Sequence, residues 1–197
     1  MRKITKKIQK ILDLKQKYES LKKDKDSLLN ILEEVELAES VYNSNAIESS
    51  TLTLSDTEKI LLDLEVSKTY SLREVFEAKN LARVYEYIRK KKDTIVLNQE
   101  TLLLIHSLLI GGINDDIAGR FRKENEYVRV GKHVAPAPEH VLRMIEVLLH
   151  EYKSDHSTNI FSKVAHFHLQ FETVHPFVDG NGRIGRVLIN LQLQEFG

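Results

Sequence analysis

The chain has 197 residues, 42% of them apolar and 29% charged, enough for one domain with a sizeable core. Lys+Arg and Asp+Glu both number 29, so bulk charge gives no case for a nucleic-acid partner and only local basic clusters can recruit anions. The lack of cysteine excludes disulfides and thiolate metal sites, no run reaches the ~20 apolar residues of a membrane span, and no apolar h-region follows the basic start MRKITKKIQKILDLKQK, so the reading is cytoplasmic.

Helical spacing dominates the chain. From Ile4, the positions Ile11, Leu14, Tyr18, Leu21, Leu28 and Leu32 follow a 3–4 alternation broken by Lys7 and Lys25. That pattern fits a coiled-coil seam, and with it a homodimer, or an amphipathic helix lying on its own domain. The helix is predicted to run on through Glu34–Val41 towards Ile47, with residues 1–39 as an amphipathic extension and 40–197 as the main domain. Ser55 with Glu58, and Ser71 with Glu74, have capping-box form and predict helices over 55–66 and 71–91. The second should bury Val75, Ala78, Leu81, Ala82, Tyr85 and Ile88, and Arg89–Lys92 reads as a solvated last turn. Asn98 caps the run TLLLIHSLL, which stops at Gly111-Gly112. Tyr127–Val130 and His133–Ala135 then predict two antiparallel strands around Gly131-Lys132. A lone hairpin is marginal unless it packs on something, so this one is a candidate lid on a helical body. Pro138 or Glu139 should open a helix to about Lys153, a polar loop covers 154–159, and two further helices flank residues 175–186. The expected fold is all-α with a small β-hairpin.

The stretch His175–Arg186, HPFVDGNGRIGR, gathers an imidazole, a carboxylate, two glycines around an Asn and two arginines into twelve residues. Gly180 and Gly182 can bring backbone N–H groups close to an anion, and a helix beginning near Gly182 or Arg183 would aim its first N–H groups and positive dipole end at the same point. Arg183 and Arg186, three residues apart, share a face of that turn. Together these make a phosphate site. A neutral imidazole such as that of His175 can take a proton from a hydroxyl, and Asp179 is a hard oxygen ligand suited to Mg2+ held together with phosphates. The inventory points to phosphoryl or nucleotidyl transfer, where positioning and charge neutralisation do most of the work.

HPFVDGNGRIGR resembles in full the Fic-family signature HPFx(D/E)GNGRxxR, and the likeness extends over residues 40–197 through TLLLIHSLL, AGRFRKENEYVRV, APAPEHVLRMIEVLLHEY and VAHFHLQFETVHPF. The resemblance implies a helical domain that transfers AMP from ATP to a protein Ser, Thr or Tyr hydroxyl and releases pyrophosphate. On that resemblance His175 is the base and Asp179 the Mg2+ ligand. Gly180, Asn181 and Gly182 cradle phosphates largely through backbone amides, Arg183 clamps the β-phosphate end and Arg186 binds the γ-phosphate. Pro176 and Phe177 shape the loop, Phe177 by pointing into the core, and His168 is structural. The hairpin at 126–135 resembles the family's flap, which docks the target segment by main-chain pairing.

Upstream, SNAIESS resembles the inhibitory motif (S/T)xxxE(G/N), with Ser44 and Glu48 in the fixed positions and Ser49 where Gly or Asn is the rule. The resemblance implies that Glu48 pairs with Arg186 and blocks the γ-phosphate site, because an arginine held by a carboxylate is not free to neutralise triphosphate. Family relatives that move UMP or phosphocholine, or that remove AMP, are the nearest rival readings, and a non-catalytic dimerisation module is a rival of another class. Death-on-curing toxins phosphorylate with a motif in which Lys replaces the first arginine, and Arg183 argues against that version. Many family members continue into helices that contact adenosine, so base specificity is less well specified here than the phosphate chemistry. The target protein is not legible.

Overall fold

A computed structural model describes residues 2–66, 68–91, 94–156 and 159–195, with side chains from residue 6 onward. The side chain of Ile4, together with Lys92 and part of the polar loop 154–159, lies outside that description. The chain divides into two compact units, Met1–Leu37 and Ala38–Gly197.

The first unit holds helix α1 (Arg2–Leu21) and the start of α2 (Asp26–Ile47). The continuous helix expected from the apolar spacing is interrupted at residues 22–25. Lys22 still donates to the Tyr18 carbonyl at 3.0 Å, but Asp24 turns to φ 60°. The segment Lys22–Asp26 is all charged and offers no apolar face to bury, while Asp tolerates the left-handed region better than most residues. Asp26 then opens α2, where a negative charge suits the helix dipole. Ile11, Leu14, Tyr18, Leu21, Leu28 and Leu32 all remain exposed.

The second unit continues with α3 (Leu54–Leu61), α4 (Leu72–Lys90), α5 (Gln99–Ile110), the two-residue strands β1 (Arg129–Val130) and β2 (His133–Val134), α6 (Pro138–Ser154), α7 (Ile160–Val174) and α8 (Asn181–Gln194). The expected all-α body with a hairpin is what forms, although α3 starts earlier and ends sooner than the Ser55–Glu58 pattern implied. Its cap is Thr53, whose hydroxyl accepts from Asp56 N and donates to Asp56 Oδ2 at 2.7 Å. The Tyr70 hydroxyl holds the same carboxylate oxygen at 2.6 Å, so the partly buried Thr53–Asp56–Tyr70 group outcompetes the overlapping Ser55 pattern.

Helix α7 lies against α6 and α8, and α4 packs on α3, α5 and α8. Phe171, Ile184, Leu188 and Leu191 fill the α7–α8 seam, with Leu81, Ile88, Leu102 and Ile105 beneath α4 and α5. On α4, Ala78, Leu81, Ala82 and Ile88 are buried as expected, Val75 and Tyr85 only partly, and Val84 and Asn80 join them. Asn80 donates to the carbonyls of Leu109 and Gly111 at 3.0 and 2.8 Å, closing the end of α5. At Gly185 a Cβ would collide with Glu172 and His168, so glycine is what lets these α7 side chains settle onto α8.

The capping box at Ser71 also ties two segments together. Ser71 accepts from Glu74 N at 3.2 Å, while Glu74 accepts from Ser71 and, at 2.8 and 2.7 Å, from the backbone N–H and hydroxyl of Thr51 just after α2. These donors, led by the Thr51 hydroxyl, hold the Glu74 carboxyl at about 2. Because the folded value lies below the unfolded one, the stabilisation is complete above about pH 4.5 and is lost as pH falls towards 2. Ser71→Ala should cost about 1 kcal/mol in denaturant titration. Glu74→Gln should flatten the acid limb of stability against pH, and an unchanged limb would reject this assignment.

Candidate active site

The turn between α7 and α8 is bracketed by two left-handed residues. His175 ends α7 at φ 48° with its N–H on the Phe171 carbonyl at 2.9 Å, and Gly180 caps α8 at φ 84°. Gly180 is required twice over, since a Cβ there would stand 3.0 Å from Leu109 and 3.2 Å from Ile110. His175 has no such freedom, and its conformation is held from outside by Arg122. That buried guanidinium donates to the carbonyls of Val174 (3.2 Å), His175 (2.8 Å), Glu126 (3.0 Å) and Pro136 (2.9 Å), and the Arg122 N–H reaches the Pro176 carbonyl at 2.9 Å. One side chain thus staples the turn to both ends of the hairpin loop. Burial pulls its pKa down from the ordinary arginine value.

Inside the turn, Phe177 is fully buried and stacks on His106 with ring centres 3.9 Å apart. His106 Nδ1 accepts from Gly119 N–H at 2.9 Å, which leaves Nε2 as the protonated nitrogen facing the Asp179 carbonyl at 3.2 Å. Burial depresses His106 to about 4, so it is a neutral brace. The Asn181 side chain makes a closed pair with the backbone of Phe177, accepting at 2.9 Å and donating at 2.8 Å. Its side chain locks the turn, which leaves only its backbone N–H for an anion. The amides of residues 181–183 precede the first α8 hydrogen bond, from Ile184 N to Gly180 O, and form the positive end of the helix.

Charges crowd this end. Asp179 accepts from Gly180 N–H at 2.6 Å, from Arg183 at 3.1 Å and from Arg73 of α4 at 2.6 Å. Burial pushes its carboxyl up, but Arg183 and Arg73 outweigh that and hold it below the ordinary value. Glu77 of α4 lies 3.0 Å from Arg73 and 3.2 Å from Arg183, closing a ring of four charges. Arg183 is only 3% exposed and faces inward, so the structure places it as the anchor of Asp179 and Glu77. Asp179, with a side chain 34% exposed, fits Mg2+, which takes one or two protein carboxylates and completes its shell with phosphate and water. No group of three or more such ligands occurs among the described residues, and Arg73 now holds the oxygen a cation would share.

Arg186 lies on the open side, where the structure brings Ser44 and Glu48 to it. Its Nε donates to the Ser44 hydroxyl at 2.9 Å, and its Nη2 donates to the Ser44 carbonyl at 3.0 Å and to Glu48 Oε1 at 2.7 Å. Gly182 makes room, since a Cβ there would sit 2.5 Å from that same carboxylate oxygen. The Glu48 carboxylate therefore lies beside Gly182 in the first turn of α8. Helix α2 ends in a Schellman motif, with Ser50 N–H on Asn45 O at 3.1 Å and Ser49 N–H on Ala46 O at 3.0 Å. Ser49 sits at φ 69°, which gives a physical reason for Gly or Asn at this place.

His175 faces Glu172, Nδ1 to Oε2, at 3.6 Å. Beside it the hairpin pairs Arg129 with Val134 and Val130 with His133, and the His133 ring meets the Thr173 carbonyl at 3.0 Å. Tyr127, Val130 and Val134 are exposed along it. Sequence reasoning missed Arg73, Glu77, His106 and Arg122, all of which act across long separations. The cluster can hold a polyanion against amides and arginines beside one imidazole. Arg122→Met should strip four carbonyls of their donor and destabilise the domain by about 3–5 kcal/mol. Hydrogen exchange should quicken at 126–136 and 174–177, and a loss under about 1 kcal/mol would refute the staple. Ser49→Gly should stabilise by about 1 kcal/mol in the same denaturant assay.

The Fic/DOC family profile matches residues 96–193. "Protein adenylyltransferase Fic" of Drosophila virilis is 30% identical over 162 residues, covering 80% of this chain and 33% of that protein, and its Drosophila persimilis counterpart is 29% identical over 160 residues. The chain therefore spans about a third of the length of these curated relatives. A Fic family protein from Desulfovibrio desulfuricans superposes with a TM-score of 0.84 at 27% identity, over 98% of this chain and 57% of its own. Fic-1 from C. elegans gives a TM-score of 0.80 at 25% identity, over 100% of this chain and 58% of its own. With signature, upstream helices and backbone all matching, the chain belongs to the Fic/DOC family.

Proposed function

We propose that the chain is a Mg2+-dependent protein adenylyltransferase held in check by its own α2. What supports this reading is the start of α8, where the amides of residues 181–183 precede the first intrahelical hydrogen bond and Glu48 pairs with Arg186 beside Gly182. The activity named for the Drosophila relatives supports the same reading.

On this reading the ATP triphosphate lies along the α8 N-terminus. Arg186 binds its γ end, and the amides of Asn181, Gly182 and Arg183 bind its inner oxygens. The exposed edge of the hairpin takes the target segment as an added strand and presents a Ser, Thr or Tyr hydroxyl. His175 Nε2 takes the hydroxyl proton while the oxygen attacks the α-phosphorus. The bond from that phosphorus to the bridging oxygen breaks, and pyrophosphate leaves with that oxygen. Asp179 would hold the Mg2+, which neutralises charge on the phosphate oxygens. Arg183 and Glu77 keep the Asp179 carboxylate aimed, and Arg122 and His106 keep the turn from relaxing.

Glu48 opposes binding in the productive pose because its carboxylate and the γ-phosphate compete for one guanidinium. Incubation with α-labelled and γ-labelled ATP tests the whole reading. Label should pass to protein from the α form alone, and chelation of Mg2+ should abolish it. His175→Ala should cut transfer by about 10²–10⁴-fold. Glu48→Gly should raise it. Transfer from the γ form only, or no gain with Glu48→Gly, would overturn the chemistry or the control respectively.

A further inference from the structure

Helix α7 and its C-cap carry three buried polar atoms that find no hydrogen-bond partner among the described residues: His168 Nδ1, Glu172 Oε1 and His175 Nδ1. His168 and Glu172, four residues apart, share one face of the helix, and the left-handed cap brings the His175 ring beside Glu172. His168 and Glu172 crowd the same point over Gly185, and Glu172 Oε2 lies 3.6 Å from His175 Nδ1. A carboxylate oxygen in such a place is costly without a donor, and an imidazole nitrogen needs a partner whichever state it holds. One arrangement serves all three: both rings carry their proton on Nδ1 and share the carboxylate between them.

We propose that Glu172 is a positioning residue for His175, seated in the notch that Gly185 leaves in α8, with His168 holding the other carboxylate oxygen. The inference rests on His175 acting as the base and adds how it is prepared. A proton fixed on Nδ1 leaves the Nε2 lone pair free for the incoming hydroxyl, and the carboxylate stabilises the imidazolium formed when that proton arrives. Gly185 is as necessary as the carboxylate, because a methyl at that position would occupy the place of Glu172 Oε1.

The test uses the whole chain, with tautomers read by nitrogen-15 NMR of labelled histidine and AMP transfer measured in the Glu48→Gly background. In the parent protein His175 should show its proton on Nδ1. Glu172→Leu should shift it towards the Nε2 form and lower kcat about 100-fold with KM for ATP within about twofold. Glu172→Gln, which keeps an acceptor oxygen, should restore the Nδ1 form and part of the rate. A His175 tautomer unchanged in Glu172→Leu overturns the proposal whatever the activity. A full rate in Glu172→Leu beside a dead His175→Ala overturns it too, and leaves the base assignment standing. If no form transfers AMP, the base assignment falls, while the tautomer still decides the contact.

Discussion

Everything at this site hangs on a backbone turn that brings α8 to a start directly after α7 ends. His175 and Gly180 adopt left-handed conformations five residues apart, and without either the first amides of α8 would not face outward beside the imidazole. Glycine adopts that region at no steric cost, whereas a histidine there costs on the order of 1–2 kcal/mol. The difference must be met by the surroundings, and Arg122 meets it. A buried guanidinium that satisfies carbonyls on both sides of the strained residue makes any relaxed turn worse, because relaxing would orphan several groups at once. His106 and Asn181 brace the same turn from within, one through ring stacking and the Asp179 carbonyl, the other by pairing with Phe177. Rigidity of this kind is what a functional site requires, since its groups must hold their geometry to about 0.5 Å.

What the sequence made legible was local. Ser71 and Glu74 lie three residues apart, Asn98 caps the helix that follows it, and His175–Arg186 is contiguous, so each could be read from short windows. Ser44 and Glu48 were found as a pattern, and their partner Arg186 is 138 residues from Glu48. Arg122 and Arg73 gave no such signal. Arg122 reaches His175 across 53 residues and Arg73 reaches Asp179 across 106, and in isolation each is one arginine among others. The break after α1 was hidden for a different reason. Apolar spacing resumes in phase beyond Lys25, so periodicity sees no gap, while the cause lies in five consecutive charges and one left-handed aspartate. At α3 two S/T-x-x-D/E patterns overlap, and burial of Asp56 against Tyr70, which no short window contains, chose Thr53.

The arginines near α8 divide the work by depth. Arg73, Arg183 and Arg186 face Asp179, Glu77 and Glu48, so the cluster is balanced as it stands. Only one of these carboxylates can leave cheaply. The Glu77 side chain is 14% exposed and lies beside buried Arg183, so its departure would strand a desolvated charge, which costs several kcal/mol. Glu48 is 42% exposed, and its partner Arg186 already reaches solvent, so that pair breaks for about 1 kcal/mol. Without Glu48, the cluster would carry one positive charge in excess at a helix N-terminus, an environment that favours anions. On the proposed reading, a weak, exposed ion pair is what a releasable inhibitory contact needs. A tighter one would not release, whereas the buried ring of Arg73, Glu77, Asp179 and Arg183 holds the turn without drawing on Glu48.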